Sequence, residues 1–271
     1  MKGRVLVVAG SDSGGGAGIQ ADIKTITALD GFAMTAISAL TAQDTNGVSG
    51  IHDVPPAFVR DQMTVVLADL GADAIKTGML HTPAVIDAVV ETLGEANASA
   101  PLVVDPVMSA KSGDSLISSE ATDTLVRRLI PMASVLTPNL PEASILVGRA
   151  IRSIADMDAA RDDLLALGAT HVLLKGGHLA GDQVTDLLFG PEETRWFESS
   201  RIDTKHTHGT GCTLASAIAT GLAQGLENEP SIARARDYVL DAIRTAPGFG
   251  SGHGPMNHSH TVVAMSGRQA S

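Results

Sequence analysis

The sharpest chemical signal in this 271-residue chain is four consecutive residues, Gly209-Thr210-Gly211-Cys212, opening an Ala-rich stretch that reads as a helix to about Gly221. Glycines let the backbone approach closely, and the N–H groups of a helix's first turn, with its dipole, form a seat for an anion. The dipole lowers the pKa of a thiol in that turn. A thiolate there is placed to take the proton of a hydroxyl attacking phosphorus. A lone cysteine is also commonly a small buried hydrophobe, and position alone does not choose between the two. Lys175, before Gly176-Gly177-His178, stands where an ammonium reaches phosphate oxygens, or is a solvated strand-end lysine. Asn139-Leu140-Pro141-Glu142 reads two ways: a capping box, or two side chains holding magnesium through its water shell beside nucleotide phosphates. Asp105, before Pro106, either orders magnesium waters or satisfies a turn.

A second glycine loop, Ser11–Gly18, lies between an apolar run and a helical stretch. Within it Gly16-Ala17-Gly18-Ile19-Gln20-Ala21 fits the relaxed dinucleotide pattern G-x-G-x-x-A, so an NAD(P)-dependent oxidoreductase is a rival reading. The acidic residue that should end a second strand roughly 20 residues on is missing, since Asp30 ends a helix and Asp44 sits in a turn. The loop is expected instead to clamp a substrate, with N–H groups offered to an anion. No G-x-x-x-x-G-K-[ST] occurs, which excludes a P-loop enzyme. Asp22, inside a helix, reads as a surface charge. His206, His208, His253, His258 and His260 lack partner cysteines and carry little weight as a zinc site.

The elements that must position these residues are short Val-, Ile- and Leu-rich runs alternating with helical stretches. Strands are predicted at 5–9, 33–39, 74–77, 102–104, 135–136 and 172–174. Helices are predicted at 17–29, 55–70, 82–93, 118–129 and 153–167. Strands apolar at nearly every position are covered on both faces. The alternation predicts an α/β fold with a mostly parallel central sheet and helices on both faces. Hairpins are expected at 34–54, turning at Asn46-Gly47, and at 184–203, around Gly190-Pro191. Ligands in such sheets bind beyond the carboxyl ends of the strands. There the segments starting at Gly10, Thr41, Thr77, Asp105, Thr137 and Lys175 should converge. One domain over 1–271 is expected, with a Gly-, His- and Ser-rich tail from Gly248 that is partly mobile.

Composition narrows the partners. Hydrophobic residues at 44% and charged ones at 18% supply a core and argue against disorder. A net charge of -11 repels polyanions, and seven aromatics leave little to stack on bases, so no nucleic acid is expected. One cysteine, a short apolar start and no apolar run of about 18 residues lead to the expectation of a cytoplasmic protein with no membrane partner.

Read together, the motifs resemble the hydroxymethylpyrimidine/phosphomethylpyrimidine kinases of thiamine biosynthesis, within the ribokinase-like superfamily. The resemblance is carried by Ala9–Asp22, Thr41–Thr45, Lys76–Met79, Val104–Met108, Thr137–Asn139, Lys175–His178, His206–Leu214 and Gly252–His258. Asp44 departs from the Asn expected there. The resemblance implies ATP- and Mg2+-dependent phosphorylation of 4-amino-5-hydroxymethyl-2-methylpyrimidine to its monophosphate and then to the diphosphate. It implies substrate contacts from Gly10, Asp22, Gln43, Met79 and Val107, with Gln43 on the aminopyrimidine ring. Asp105, Asn139, Lys175, Thr210 and Glu142 would serve MgATP, with Glu142 and Asp105 at the metal. Gly209, Gly211 and Cys212 would form the catalytic anion hole, Cys212 standing where sugar kinases of the superfamily place an aspartate. A homodimer is implied too. The alternative is a pyridoxal or pyridoxine kinase of the same superfamily.

Overall fold

The computed structural model describes residues 1–96, 99–109, 113 and 116–262. In chain order the elements begin with β1 (Arg4–Asp12), α1 (Gly18–Ala28), β2 (Phe32–Gln43), β3 (Val48–Asp53), α2 (Pro56–Asp69) and β4 (Ala74–Thr77). Next come α3 (Pro83–Glu95), β5 (Leu102–Val104), α4 (Ser119–Thr124), β6 (Val135–Leu136), α5 (Leu140–Val147), α6 (Ile154–Ala159) and α7 (Arg161–Leu165). The rest are β7 (His171–Leu174), β8 (Gln183–Phe189), β9 (Thr194–Ser200), α8 (Thr210–Ala223) and α9 (Asn228–Arg244). They build a nine-stranded sheet in the order β3-β2-β1-β4-β5-β6-β7-β8-β9. The six strands from β2 to β7 run parallel; β3, β8 and β9 pair antiparallel at the edges.

The period-2 alternation of a strand sends its side chains to two separate cores. Leu6, Val8, Ile75, Leu102 and Val104 join the core that also holds Val59, Met63, Val85, Ile86 and Val89 of α2 and α3. Val5, Val7, Ala74 and Val103 join the core built with Ile26 of α1, Ala215 and Ile218 of α8 and Ile232 of α9. Helix α8 is buried without a break from Thr213 to Gly221, as an almost uncharged helix must be. Helix α9 covers it with Ile232, Ala235, Tyr238 and Ala242. This is the doubly wound α/β architecture read from the alternation.

Four expectations change in detail. The stretch 118–129 starts as α4 but ends in a π turn, Leu125–Leu129, and a 3-10 turn, Ile130–Met132. Pro131 cannot donate the N–H that would prolong an α-helix. The stretch 153–167 divides at Ala160, and the bend lets Met157, Ala160 and Leu164 all reach the core, each at 0% exposure. Both hairpins form, but β2 also lies parallel to β1, so the first is an extension of the sheet and not a separate flap. The segment from Gly248 is anchored further than its composition suggests. His208 N–H donates to the Gly254 carbonyl, Asn257 N–H to Ala242, and Met256 and His258 are buried. Residues 263–271 of that tail lie outside the described residues.

Candidate active site

The carboxyl ends of β1, β2, β4, β5, β6 and β7 open on a cleft of about 830 Å³. Gly10, Gln43, Met79 and Val107 line one part of it; Asp105, Asn139, Glu142 and Lys175 another; Gly209, Thr210, Gly211 and Cys212 the floor between. The β1–β2 pairing shifts register between Ala9 and Ser11, a bulge of the kind that re-aims backbone beside a binding site. Gly209 holds φ +82°, and a Cβ on it would overlap the Gly16 carbonyl oxygen, so only glycine serves there.

The two glycine loops turn out to be differently occupied. Asp12, buried at the end of β1, accepts from Gly14 N–H at 2.8 Å, Gly16 N–H at 3.0 Å and Ala17 N–H at 2.8 Å. Its carbonyl takes the Gly15 N–H. Burial alone would raise the Asp12 pKa, but His208 and these amides outweigh it and hold the carboxyl below its ordinary value. The expectation that Gly14–Gly18 offers N–H groups to an external anion is therefore corrected: Asp12 already holds four of them, three through its carboxylate and one through its carbonyl. That also removes the pyrophosphate seat an NAD(P) enzyme would need. Among the described residues, no side chain caps the first turn of α8. Thr210 N–H donates to the Thr207 carbonyl at 3.4 Å, and no side chain among the described residues holds the N–H groups of Gly209, Gly211 and Cys212.

Asp22 is neither the surface charge its helical position suggests nor a wall of the cleft. It is 0% exposed, with Lys76 Nζ at 3.0 Å from both its oxygens and Ser216 Oγ donating to it at 2.6 Å. Lys76 occupies a β4 position that faces the α1/α8 core and is itself 0% exposed. Burial would lower its pKa, but Asp22 and Asp105 overcome this and hold the ammonium charged. Ser216 is one helical turn beyond Cys212, so both face the same ion pair.

Cys212 departs from the lowered thiol pKa expected at a helix start. Burial pushes the thiol up to about 12, against the pull of Lys76 and a Gly18 N–H aimed at the sulfur; Asp22 and Asp105 push the same way as burial. In the free protein it is a protonated thiol.

At the far side of the floor, Lys175 Nζ lies 2.9 Å from Asp105 Oδ1, which also accepts from Thr137 Oγ1 at 3.2 Å. The capping box at α5 is real: Asn139 Oδ1 accepts from Glu142 N–H at 2.9 Å and Glu142 Oε2 from Asn139 N–H at 2.8 Å. Glu142 is also buried within reach of Asp105 and Lys175. Burial, with Asp105, raises its pKa to about 7 against the pull of Lys175. No cluster of three or more His, Cys, Asp or Glu suited to a metal occurs among the described residues. Two carboxylates, Asp105 and Glu142, lining the same cleft do fit magnesium, which is usually held by one or two carboxylates, water and substrate phosphates.

Sequence reasoning missed three pairs that the fold assembles: Lys76–Asp22, Asp12–His208 at 3.0 Å, and Arg236–Asp186. The last lies in the cleft beside Ser199 and Arg201 of the β9 region, with Asp186 accepting from Gly176 N–H at 2.8 Å. Partners so far apart in sequence leave no local pattern; the one signal was a lysine in an otherwise apolar strand.

A sheet with this topology, an open anion seat at a helix start and acidic and basic groups on either side define a ribokinase-like small-molecule kinase. Solved structures agree: Bacillus subtilis pyridoxal kinase in an ADP complex matches with a TM-score of 0.89 at 36% identity, over 96% of this chain and 98% of that one. Phosphomethylpyrimidine kinase from Clostridium difficile matches with a TM-score of 0.80 at 40% identity, over 89% and 100%. The family model for phosphomethylpyrimidine kinase matches residues 12–257, and the chain belongs to that family. A hydroxymethylpyrimidine/phosphomethylpyrimidine kinase of Streptomyces coelicolor is 47% identical over 94% of this chain and 93% of its own length. A thiamine biosynthesis bifunctional protein of Geobacter sulfurreducens is 54% identical over 95% of this chain, which spans about half of that relative, 52%.

Proposed function

We propose that the chain transfers the γ-phosphoryl group of ATP to the hydroxymethyl oxygen of 4-amino-5-hydroxymethyl-2-methylpyrimidine, and then a second phosphoryl group to the resulting monophosphate. The observation that carries this reading is the open seat at the start of α8, set between an apolar, Gln43-bearing compartment and a carboxylate–lysine compartment. The family membership agrees with it. In each transfer an O–P bond forms to the acceptor and the bond to the β–γ bridging oxygen breaks, releasing ADP. Gln43 orients the ring against Gly10, Met79 and Val107. The Gly209–Gly211 N–H groups meet the transferred phosphoryl oxygens, and Lys175, Asn139 and Thr210 meet the phosphates of ATP. Asp105 and Glu142 would hold Mg2+, which supplies charge neutralisation at the phosphates. To act as base Cys212 must first lose its own proton, and the charge it then carries faces Lys76, the Gly18 N–H and the α8 dipole. The second half of the cleft, with Arg201 and Arg236, accommodates the rest of the nucleotide.

A homodimer belongs to the same reading, as does a cytoplasmic setting; no helix among the described residues is long and apolar enough to cross a membrane. Pyridoxal is the second acceptor worth testing, because a Staphylococcus aureus pyridoxal kinase solved with AMP-PCP and pyridoxal matches with a TM-score of 0.87 at 34% identity, over 96% of this chain and 94% of that one. The test is ATP consumption with hydroxymethylpyrimidine, its monophosphate, pyridoxal and ribose. Turnover of both pyrimidines supports the proposal. Turnover of pyridoxal alone would overturn it.

A further inference from the structure

His208 precedes the anion seat and is buried, yet the mechanism above gives it no task. Its ring Nε2 lies 3.0 Å from Asp12 Oδ2. Because Asp12 is ionised and can only accept, Nε2 carries the proton of that bond. Asp12 is also the residue that gathers the amides of Gly14, Gly16 and Ala17, so one carboxylate joins His208 to the whole loop facing the acceptor. The contact is backbone-deep on both sides. A Cβ on Gly16 would overlap the His208 ring, and one on the neighbouring Gly209 would overlap the Gly16 carbonyl. The His208 main chain is fixed from a third side, by its N–H on Gly254 and a bridge to Pro255.

We propose that His208 is a positioning residue: through Asp12 it fastens the loop that faces the acceptor to the loop that seats the transferred phosphoryl group. The two loops then keep one spacing, which sets the approach of the acceptor oxygen to phosphorus. This rests on the kinase reading given above. Misplacing reacting groups by about 1 Å costs on the order of 10²-fold in rate, so the effect belongs in kcat and in coupling more than in binding.

The test compares three variants. Gln carries its amide nitrogen three bonds beyond Cβ, as His carries Nε2, so His208→Gln keeps a donor for Asp12; His208→Asn holds its nitrogen one bond short, and His208→Ala has none. Turnover, phosphorylated acceptor formed per ATP consumed, and calorimetric affinity for hydroxymethylpyrimidine alone are measured for each. His208→Ala and His208→Asn are expected to lose roughly 10–100-fold in kcat, with affinity changed less than about threefold and part of the ATP hydrolysed without transfer. His208→Gln is expected within about fivefold of wild type. If His208→Ala does not fold, the Gln and Asn variants carry the comparison by themselves. Equal activity of Gln and Asn variants, or wild-type kcat and coupling in a merely less stable His208→Ala, would overturn the proposal. Failure of the wild type on hydroxymethylpyrimidine would count against the substrate, and the same comparison is then read with pyridoxal.

Discussion

Two glycine loops precede helices at the same cleft, and the sequence made them look alike. The loop before α1 has four amides held by Asp12, through the carboxylate at Gly14, Gly16 and Ala17 and through the carbonyl at Gly15. The loop before α8 has no capping side chain among the described residues and ends on Cys212. A glycine-rich helix start is therefore an anion site only where the protein has not supplied its own anion. The capping box at α5 makes the same point, since Asn139 and Glu142 satisfy that helix start from within. One loop is a self-contained wall; the other is the open seat.

The largest effect should come from the open seat. Cys212→Ala is expected to cut phosphorylation of the hydroxymethyl group by about 10²–10⁴-fold, the usual cost of removing a positioned base. Phosphorylation of the monophosphate should fall far less, because a phosphate oxygen at neutral pH needs little or no deprotonation. Steady-state turnover on each acceptor separately checks this. Equal losses on both would make Cys212 a structural part of the seat and not its base.

The seat is also held from behind. Thr213, next to Cys212, has its hydroxyl 3.0 Å from His258 Nε2, and Tyr238 donates to the His258 carbonyl at 2.6 Å. Burial, with Lys24, His260 and His208 nearby, lowers the His258 pKa from 6.5 to about 4. Between those values the unfolded chain binds a proton that the folded chain does not, so stability must fall as pH drops through this window. The loss attributable to this group is roughly 2–3 kcal/mol. Urea unfolding at pH 7 and pH 4.5 should show a smaller acid loss in His258→Gln than in wild type. Identical pH slopes would remove His258 from the account.

The contrast between the loops also shows where sequence reading runs out. Strands 102–104 and 135–136 were legible to the residue because they are apolar on both faces. Gly10, Gln43, Asp105, Lys175 and Cys212 could be placed at one edge because a parallel sheet brings its carboxyl ends together. Whether a loop amide is free was not legible, since it depends on where a carboxylate turns after a strand ends. Asp22 failed for a related reason. Its helix suggested solvent, whereas a lysine 54 residues away waits beneath it.

That buried pair gives a test at about the tenfold level. Cys212 is the chain's single cysteine, so alkylation reports on it alone. Lys76→Met removes the cation that favours the thiolate and should slow iodoacetamide labelling at pH 8. Asp22→Asn leaves that cation unopposed and should speed it. A nearby opposite charge is worth roughly one pKa unit or more, hence about tenfold in thiolate at fixed pH. A purely structural role would change both variants in the same direction, as loosening exposes the thiol.

The smallest effect separates the two tasks of Glu142. Its carboxylate closes the capping box of α5, where a glutamine can substitute, because the Asn139 N–H needs only an acceptor at that point. It also sits beside Asp105 and Lys175 at the edge of the cleft, where charge and not shape would hold a hydrated cation. Glu142→Gln should therefore leave thermal stability nearly unchanged while raising the magnesium concentration for half-maximal turnover several-fold. A magnesium titration alongside a thermal melt distinguishes the tasks. A lower melting temperature with unaltered magnesium dependence would make Glu142 a cap only, leaving Asp105 as the one carboxylate serving the metal. In that case α5 would join α1 as a helix start that the protein fills for its own purposes, and the chemistry would rest on the open seat at α8.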